Sequence, residues 1–228
     1  MCMATATICN DTISGDAGNN FLNSGAGRDI VNGAGGRDYL FGDTGHDRLS
    51  GGAASDYISN GAGNDVVRGG VGDDHLDGGD VDGNDLFAGG QGTDSLEVYS
   101  SANVSITLDN RANDGERGER DNVKADVEDV KTGMGNDTII GSDTSNELSG
   151  GGGNDTVRGG GGHDGVDGGD GRDTLAGGSG TDSITGSGGA DRINSQDRSA
   201  DYVTCGSSVD SVDRDKKDQV AVDCERLD

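Results

Sequence analysis

Four consecutive nine-residue units, GGGGNDTVR, GGGGHDGVD, GGDGRDTLA and GGSGTDSIT, fill residues 150–185, and they constrain the fold more than any other feature. Glycine holds places one, two and four of each unit. Aspartate holds place six (Asp155, Asp164, Asp173, Asp182) and an aliphatic holds place eight (Val157, Val166, Leu175, Ile184). Side chains alternate along a strand, so in a short strand at places seven to nine only the middle residue faces inward. Each unit therefore buries one aliphatic and must stack on another unit to do so.

Glycine at three places of the turn permits positive φ and close backbone approach. Six residues can then turn sharply with their carbonyls directed to one place, and the aspartate adds a carboxylate. Carbonyls plus one carboxylate per turn, stacked on an equivalent turn, supply the hard oxygen donors that calcium takes in sets of six to eight. Composition agrees. Of 228 residues 46 are glycine, none is proline or tryptophan, and aromatics make up 3%, which rules out an ordinary globular core. The formal net charge of −26 argues against nucleic acid or an anionic membrane as partner and in favour of cations. Without metal, such a chain reads as disordered, so metal is expected to decide the fold.

Read in nines toward the N-terminus, a first block over 1–97 places acidic slots at Asp11, Asp29, Asp38, Asp47, Asp56, Asp65, Asp74, Asp85 and Asp94, with Asn20 in the remaining one. Its inward residues are Ile13, Leu22, Val31, Leu40, Leu49, Ile58, Val67, Leu76, Phe87 and Leu96. Two extra residues fall within Gly78–Ala88, and Cys9 and Ala54 stand where glycine belongs. Over 98–131 the period fails. Val104, Ile106 and Leu108 alternate as in a strand, a polar loop follows, and the stretch reads as an excursion from the roll ending in a lead-in coil with Glu128 in the acidic slot and Val130 in the aliphatic one. A second block over 132–194 has slots at Asp137, Asp155, Asp164, Asp173, Asp182 and Asp191, with Asn146 as the exception. In 195–228 the glycines fade while Asp201, Asp210 and Asp218 keep a looser beat, as a capping end does.

These units resemble the RTX (repeats-in-toxin) nonapeptide GGxGxDxUx. The resemblance implies an all-β, right-handed parallel β-roll that binds several calcium ions between turns. It also implies that two units make one coil, so that unit n stacks on n+2, and that Asp201 and Asp210 join the calcium ligands. The excursion and the closing DYVTCGSSVDSV…VAVDCERLD are similar to secreted RTX proteins of actinobacterial type.

Cys205 and Cys224 lie 19 residues apart, close to the 18 of one coil, and are expected to staple the cap; Cys2 and Cys9 form a second candidate pair. His46 and His163 fall in the variable fifth place, and no nucleophile elbow accompanies them, so no enzymatic site is expected. The run Asp80–Asp85 imitates an EF-hand start but belongs to the roll. Phe21, Tyr39, Tyr57 and His75 recur every 18 residues in the outward seventh place and form an aromatic strip. It is either cross-strand bracing or a contact surface for another protein or a second copy. No signal-like apolar run opens the chain and no stretch is long enough to span a membrane. The expected function is an extracellular structural or adhesive module that folds on binding calcium. The alternative is the secretion-and-folding tail of a larger hydrolase or toxin; ice binding is disfavoured by the mixed fifth-place residues, and a self-assembling filament subunit is a lesser alternative.

Overall fold

The computed structural model describes residues 3–5, 9–79, 83–224 and 226–227, the first and last of these segments by backbone only. Every regular element among them is a β-strand, most of three to six residues, and the chain divides into two compact units. One comprises Met1–Tyr99 with Asp109–Asp129, the other Ser100–Leu108 with Val130–Asp228.

In the first unit, two parallel ladders alternate along the chain. Phe21–Asn23, Tyr39–Phe41, Tyr57–Ser59, His75–Gly79 and Ser95–Val98 stack in one. Thr12–Ser14, Ile30–Gly35, Arg48–Ala53, Val66–Val71 and Leu86–Gln91 stack in the other. Partners differ by 18 residues, as in Leu22↔Leu40, so two nonapeptides make a coil. The offset becomes 20 where the extra residues enter, as in Val67↔Phe87. Each three-residue strand shows its middle side chain buried and its flanks more exposed. The inward aliphatics meet in one core between the ladders: Leu22, Leu40, Leu49, Ile58, Leu76 and Phe87 are at most 1% exposed, each contributing roughly 1.5–3 kcal/mol by burial.

The second unit repeats the plan. Val104–Thr107, Thr138–Ile140, Thr156–Gly162, Thr174–Gly180, Arg192–Asn194 and Ser211–Asp213 form one parallel ladder. Glu147–Ser149, Gly165–Asp167, Ser183–Thr185, Tyr202–Thr204 and Gln219–Val220 form the other. The cap over 195–228 thus continues both ladders with little glycine.

Within 98–131, read as a strand and excursion followed by a lead-in coil, the structure keeps much of the excursion inside the roll. Ile106 pairs with Ile139 in the second unit, and Val123 pairs with Phe87 in the first. Val104, Ile106, Leu108 and Val123 are 1–3% exposed, and burying them is why these segments take up rungs. The departure shrinks to the polar loop that Asp114 and Asp121 close by an antiparallel bridge.

Fourth-place glycines set how closely coils stack. A Cβ on Gly153, whose φ is 137°, would lie 1.5 Å from the Gly135 carbonyl oxygen one coil earlier, so any side chain there pushes the coils apart.

Candidate metal centres

The acidic slots form two rows per unit, tied by one hydrogen bond per coil. In the first unit the amides of Asp11, Asp29, Asp47, Asp65 and Asp85 donate to Oδ1 of Asp29, Asp47, Asp65, Asp85 and Asp121 at 2.7–2.8 Å. The amides of Asn20, Asp38, Asp56, Asp74 and Asp94 donate to Asp38, Asp56, Asp74, Asp94 and Glu128 at 2.7–2.9 Å. In the second unit the donors Val104, Asp137, Asp155, Asp173 and Asp191 serve Asp137, Asp155, Asp173, Asp191 and Asp210 at 2.7–2.9 Å. The other row runs from Asn146 through Asp164, Asp182 and Asp201 to Asp218.

Every aspartate expected as a ligand is therefore in a row. All are buried except Asp11, at the start of its row, which is half-buried. Asp121 and Asp218 were not among the expected ligands. Asp121 follows Asp85 by 36 residues, a whole number of nines, but the pattern fails over most of that span and so does not lead to it. Asp218 lay within the fading beat of the cap.

The second carboxylate oxygen defines the chemistry. Oδ2 of Asp38, Asp47, Asp56, Asp74, Asp94, Asp155, Asp164, Asp173, Asp182, Asp191, Asp201 and Asp210 is buried and accepts no hydrogen bond. In the units that open on glycine, it faces the space that this glycine leaves open. At Gly33 a Cβ would lie 2.3 Å from Asp38 Oδ2 and 2.5 Å from the Gly51 carbonyl oxygen of the next coil. At Gly159 the distances to Asp164 Oδ2 and the Gly177 oxygen are 2.3 and 2.4 Å. Carboxylate and carbonyl oxygens from two coils thus converge on a seat that only glycine keeps clear.

Burial without a counter-charge pushes these carboxyls up. Asp47, Asp56, Asp74, Asp164, Asp191 and Asp201 rise to about 6 and Asp94 and Asp155 to about 7, the amide donated to Oδ1 offsetting only part of the burial. A buried anion of this kind is strongly destabilising unless paired or bound to metal. Among the described residues no three His, Cys, Asp or Glu side chains cluster as a metal site. The seats instead offer oxygen donors alone, carboxylate plus carbonyl, which suits a hard cation such as calcium.

Asp85, expected as a ligand, is an exception. Its Oδ2 accepts a hydrogen bond at 2.8 Å from Asn60 Nδ2, which stands in the first place of the unit one coil earlier.

The histidines serve as turn acceptors. His46 Nδ1 accepts the Asn64 amide at 2.8 Å and His163 Nδ1 accepts the Thr181 amide at 3.0 Å, as Asn136 and Asn154 do for the fifth places one coil on. Cys205 and Cys224 form the expected disulfide, with Cα atoms 5.1 Å apart. Cys9 is free and exposed, and its suggested partner Cys2 lies outside the described residues.

On the outer face of the first unit Phe21, Tyr39, Tyr57 and His75 stand in register. Phe41, a ninth-place residue on the same face, was missed as a member. Its ring centroid is 5.1 Å from that of Phe21 and 5.9 Å from that of Tyr57. Tyr57 also approaches Tyr39 at 5.8 Å, stacks on His75 at 5.1 Å and donates its hydroxyl to Asp77.

Stacked turns with buried, cation-seeking carboxylates between them define a metal-binding parallel β-solenoid. The RTX calcium-binding nonapeptide repeat matches residues 10–40, 32–67, 59–96, 132–166 and 167–197, well over half of the chain. The chain belongs to that family. No curated protein matches it.

Proposed function

We propose that this chain is an extracellular structural module whose β-roll folds on binding calcium, and that its work is binding and mechanical support rather than catalysis. The observation that carries this reading is the row of buried Oδ2 atoms with no donor. A folded state that buries so many uncompensated anions is poor by itself and becomes good when divalent charge is supplied. The carboxylates tie each coil to the one before through Oδ1 and keep Oδ2 for the seat, while the glycine carbonyls complete the oxygen set. Calcium, when bound, supplies the positive charge that lets these anions remain ionised inside the roll.

Two features support an extracellular setting. Sites of this type in extracellular modules work at roughly 0.1–1 mM calcium, and the Cys205–Cys224 disulfide persists in oxidising compartments. No helix among the described residues is long and apolar enough to cross a membrane. Mutual ring contacts favour bracing of the sheet as the role of the aromatic strip.

The test is circular dichroism and sedimentation in chelator and in millimolar calcium. The expected result is an expanded coil that converts cooperatively to a compact β form, with magnesium a poor substitute because it demands a tight octahedron and sheds water reluctantly. A chelated protein that keeps its β spectrum overturns the proposal.

A further inference from the structure

The seat at Asp191 is held on its far side by a covalent bond. In the coils before it, first-place residues are fastened to the coil that follows: the amides of Gly150, Gly168 and Gly186 donate to the carbonyls of Asp167, Thr185 and Thr204 at 2.9–3.0 Å. Cys205 takes the first place one coil after Gly186 and is fully buried. Its amide instead approaches Asp223 Oδ1 at 3.5 Å, because the chain one coil on passes through 221–224 as a turn and not as a strand. Gly206 donates its amide to Asp223 Oδ2 at 3.0 Å, and the disulfide from Cys205 to Cys224 closes the same turn. A covalent bond thus stands where a ladder hydrogen bond stands elsewhere.

The carbonyl of Cys205 borders the seat. A Cβ on Gly186 would lie 2.5 Å from the Cys205 carbonyl oxygen and 2.7 Å from Asp191 Oδ2, the same pair of oxygens that converges at Gly33 and Gly159. Asp191 Oδ2 is buried and accepts no hydrogen bond.

We infer that the Cys205–Cys224 disulfide is the outer clamp of a calcium seat formed by Asp191 Oδ2 and the Cys205 carbonyl, so that oxidation of this pair and occupancy of this seat support each other. This rests on the calcium reading above and gives one seat a redox partner. With the bond closed, an ion meets two oxygens already in place. With it open, the exposed carboxylate of Asp223 is left to hold the turn against Cys205 and Gly206, and the carbonyl must be ordered as the ion binds. Linkage makes the effect mutual: the factor by which the disulfide strengthens calcium binding is the factor by which calcium favours the disulfide. Thiols reach the bond from the half-buried Cys224. Reduction by two glutathione thiols breaks the S–S bond, leaves Cys205 and Cys224 each with an added electron and proton, and releases the glutathiones joined as their disulfide.

The experiment equilibrates the full chain in saturating calcium with glutathione buffers of graded ratio, and scores Cys205 and Cys224 separately from Cys2 and Cys9 by alkylation and peptide mapping. Wild type is compared with Asp191→Asn and with Asp155→Asn, which alters an equivalent seat two coils earlier in the same row. Asp191→Asn is expected to shift the equilibrium toward the dithiol about tenfold, about 30 mV in potential, and Asp155→Asn to stay within about twofold of wild type. Equal shifts in both variants would mean that calcium protects the bond only through the overall fold, and no shift in either would mean that seat and bond are independent; both results overturn the inference. Cys224→Ser reads the coupling from the other side, since it removes the bond and leaves the Cys205 carbonyl. At a calcium level that just fills wild type, native mass spectrometry is expected to count one ion fewer in this variant, and an equal count overturns the inference. A wild type that binds no calcium at all overturns the underlying reading instead.

Discussion

The carboxylate of Asp173 is divided between two tasks: Oδ1 accepts the Asp155 amide at 2.8 Å, while Oδ2, on the same carbon, is buried with no donor. The first contact binds coil to coil and is complete in the protein alone. The second is incomplete without a cation. Stability of the roll should therefore follow anything that neutralises that oxygen, and protons are one such agent.

Calcium-free protein should gain β structure as it is acidified. The folded-state carboxyls stand at about 6 to 7, above the ordinary 3.8 of an unfolded aspartate, so the folded form binds more protons over that interval. Their contribution to folding is complete below about 3.8 and is lost as pH rises through 6 to 7. Circular dichroism of dialysed, calcium-free protein should show more β signal at pH 5 than at pH 8. The calcium midpoint should move to higher concentration over the same descent, because protons compete for the seat. A β signal independent of pH would show that the buried carboxylates do not govern folding.

Position within a row should matter. Asp164 sits mid-row, where it accepts the Asn146 amide and gives its own to Asp182, whereas Asp11, half-buried, begins its row and gives its amide to Asp29. Asp164→Ala strands a buried amide, at about 1–3 kcal/mol, and empties a seat. It should raise the calcium midpoint several-fold, and Asp11→Ala should shift it little. Equal midpoints in calcium titrations of the two variants would contradict the row.

Two adjacent glycines offer a steric contrast. Gly153→Ala forces a side chain into positive φ and against the Gly135 oxygen, and should destabilise the calcium-loaded roll by roughly 2–4 kcal/mol. Gly152 has nothing within 4 Å of a Cβ, and Gly152→Ala should stay within about 0.5 kcal/mol of wild type. Similar unfolding midpoints in denaturant would argue against close coil stacking.

The aromatic strip yields an ordered prediction. Among the described residues the Tyr57 ring meets those of Tyr39, Phe41 and His75, while the Tyr39 ring meets that of Tyr57. With ring pairs contributing about 0.5–1.5 kcal/mol each, Tyr57→Ser should lower the melting temperature more than Tyr39→Ser. Sedimentation mass should be unchanged in both. A loss of association without loss of stability would make the strip a contact surface instead.

Much of this was legible because the repeat ties chemistry to spacing: Asp155 and Val157 announce a seat and a core residue, and a count of nine finds Asp173 and Leu175 two units on. What counting could not reach is what a loop displaces. Val104–Thr107 and Asn122–Val123 belong to ladders whose neighbouring rungs lie 33 and 36 residues away across a stretch where the pattern fails, so burial of Ile106 and Val123 is what puts them in place. Phe41 escaped notice because a ninth-place residue shares the outer face with the seventh. Asn60 escaped because its hydrogen bond to Asp85 Oδ2 joins residues 25 apart, an offset that no count of nines gives.

The pairing offset of 18 carries a consequence for how such a chain can change in length. A gain of two nonapeptides inserts one whole rung into each ladder and leaves every later residue in its former environment. A gain of one nonapeptide hands all downstream strands to the opposite ladder, turning faces that had carried rings into faces that had carried arginine and threonine. Growth by pairs is therefore silent at the surface, whereas growth by a single unit re-decorates everything after it.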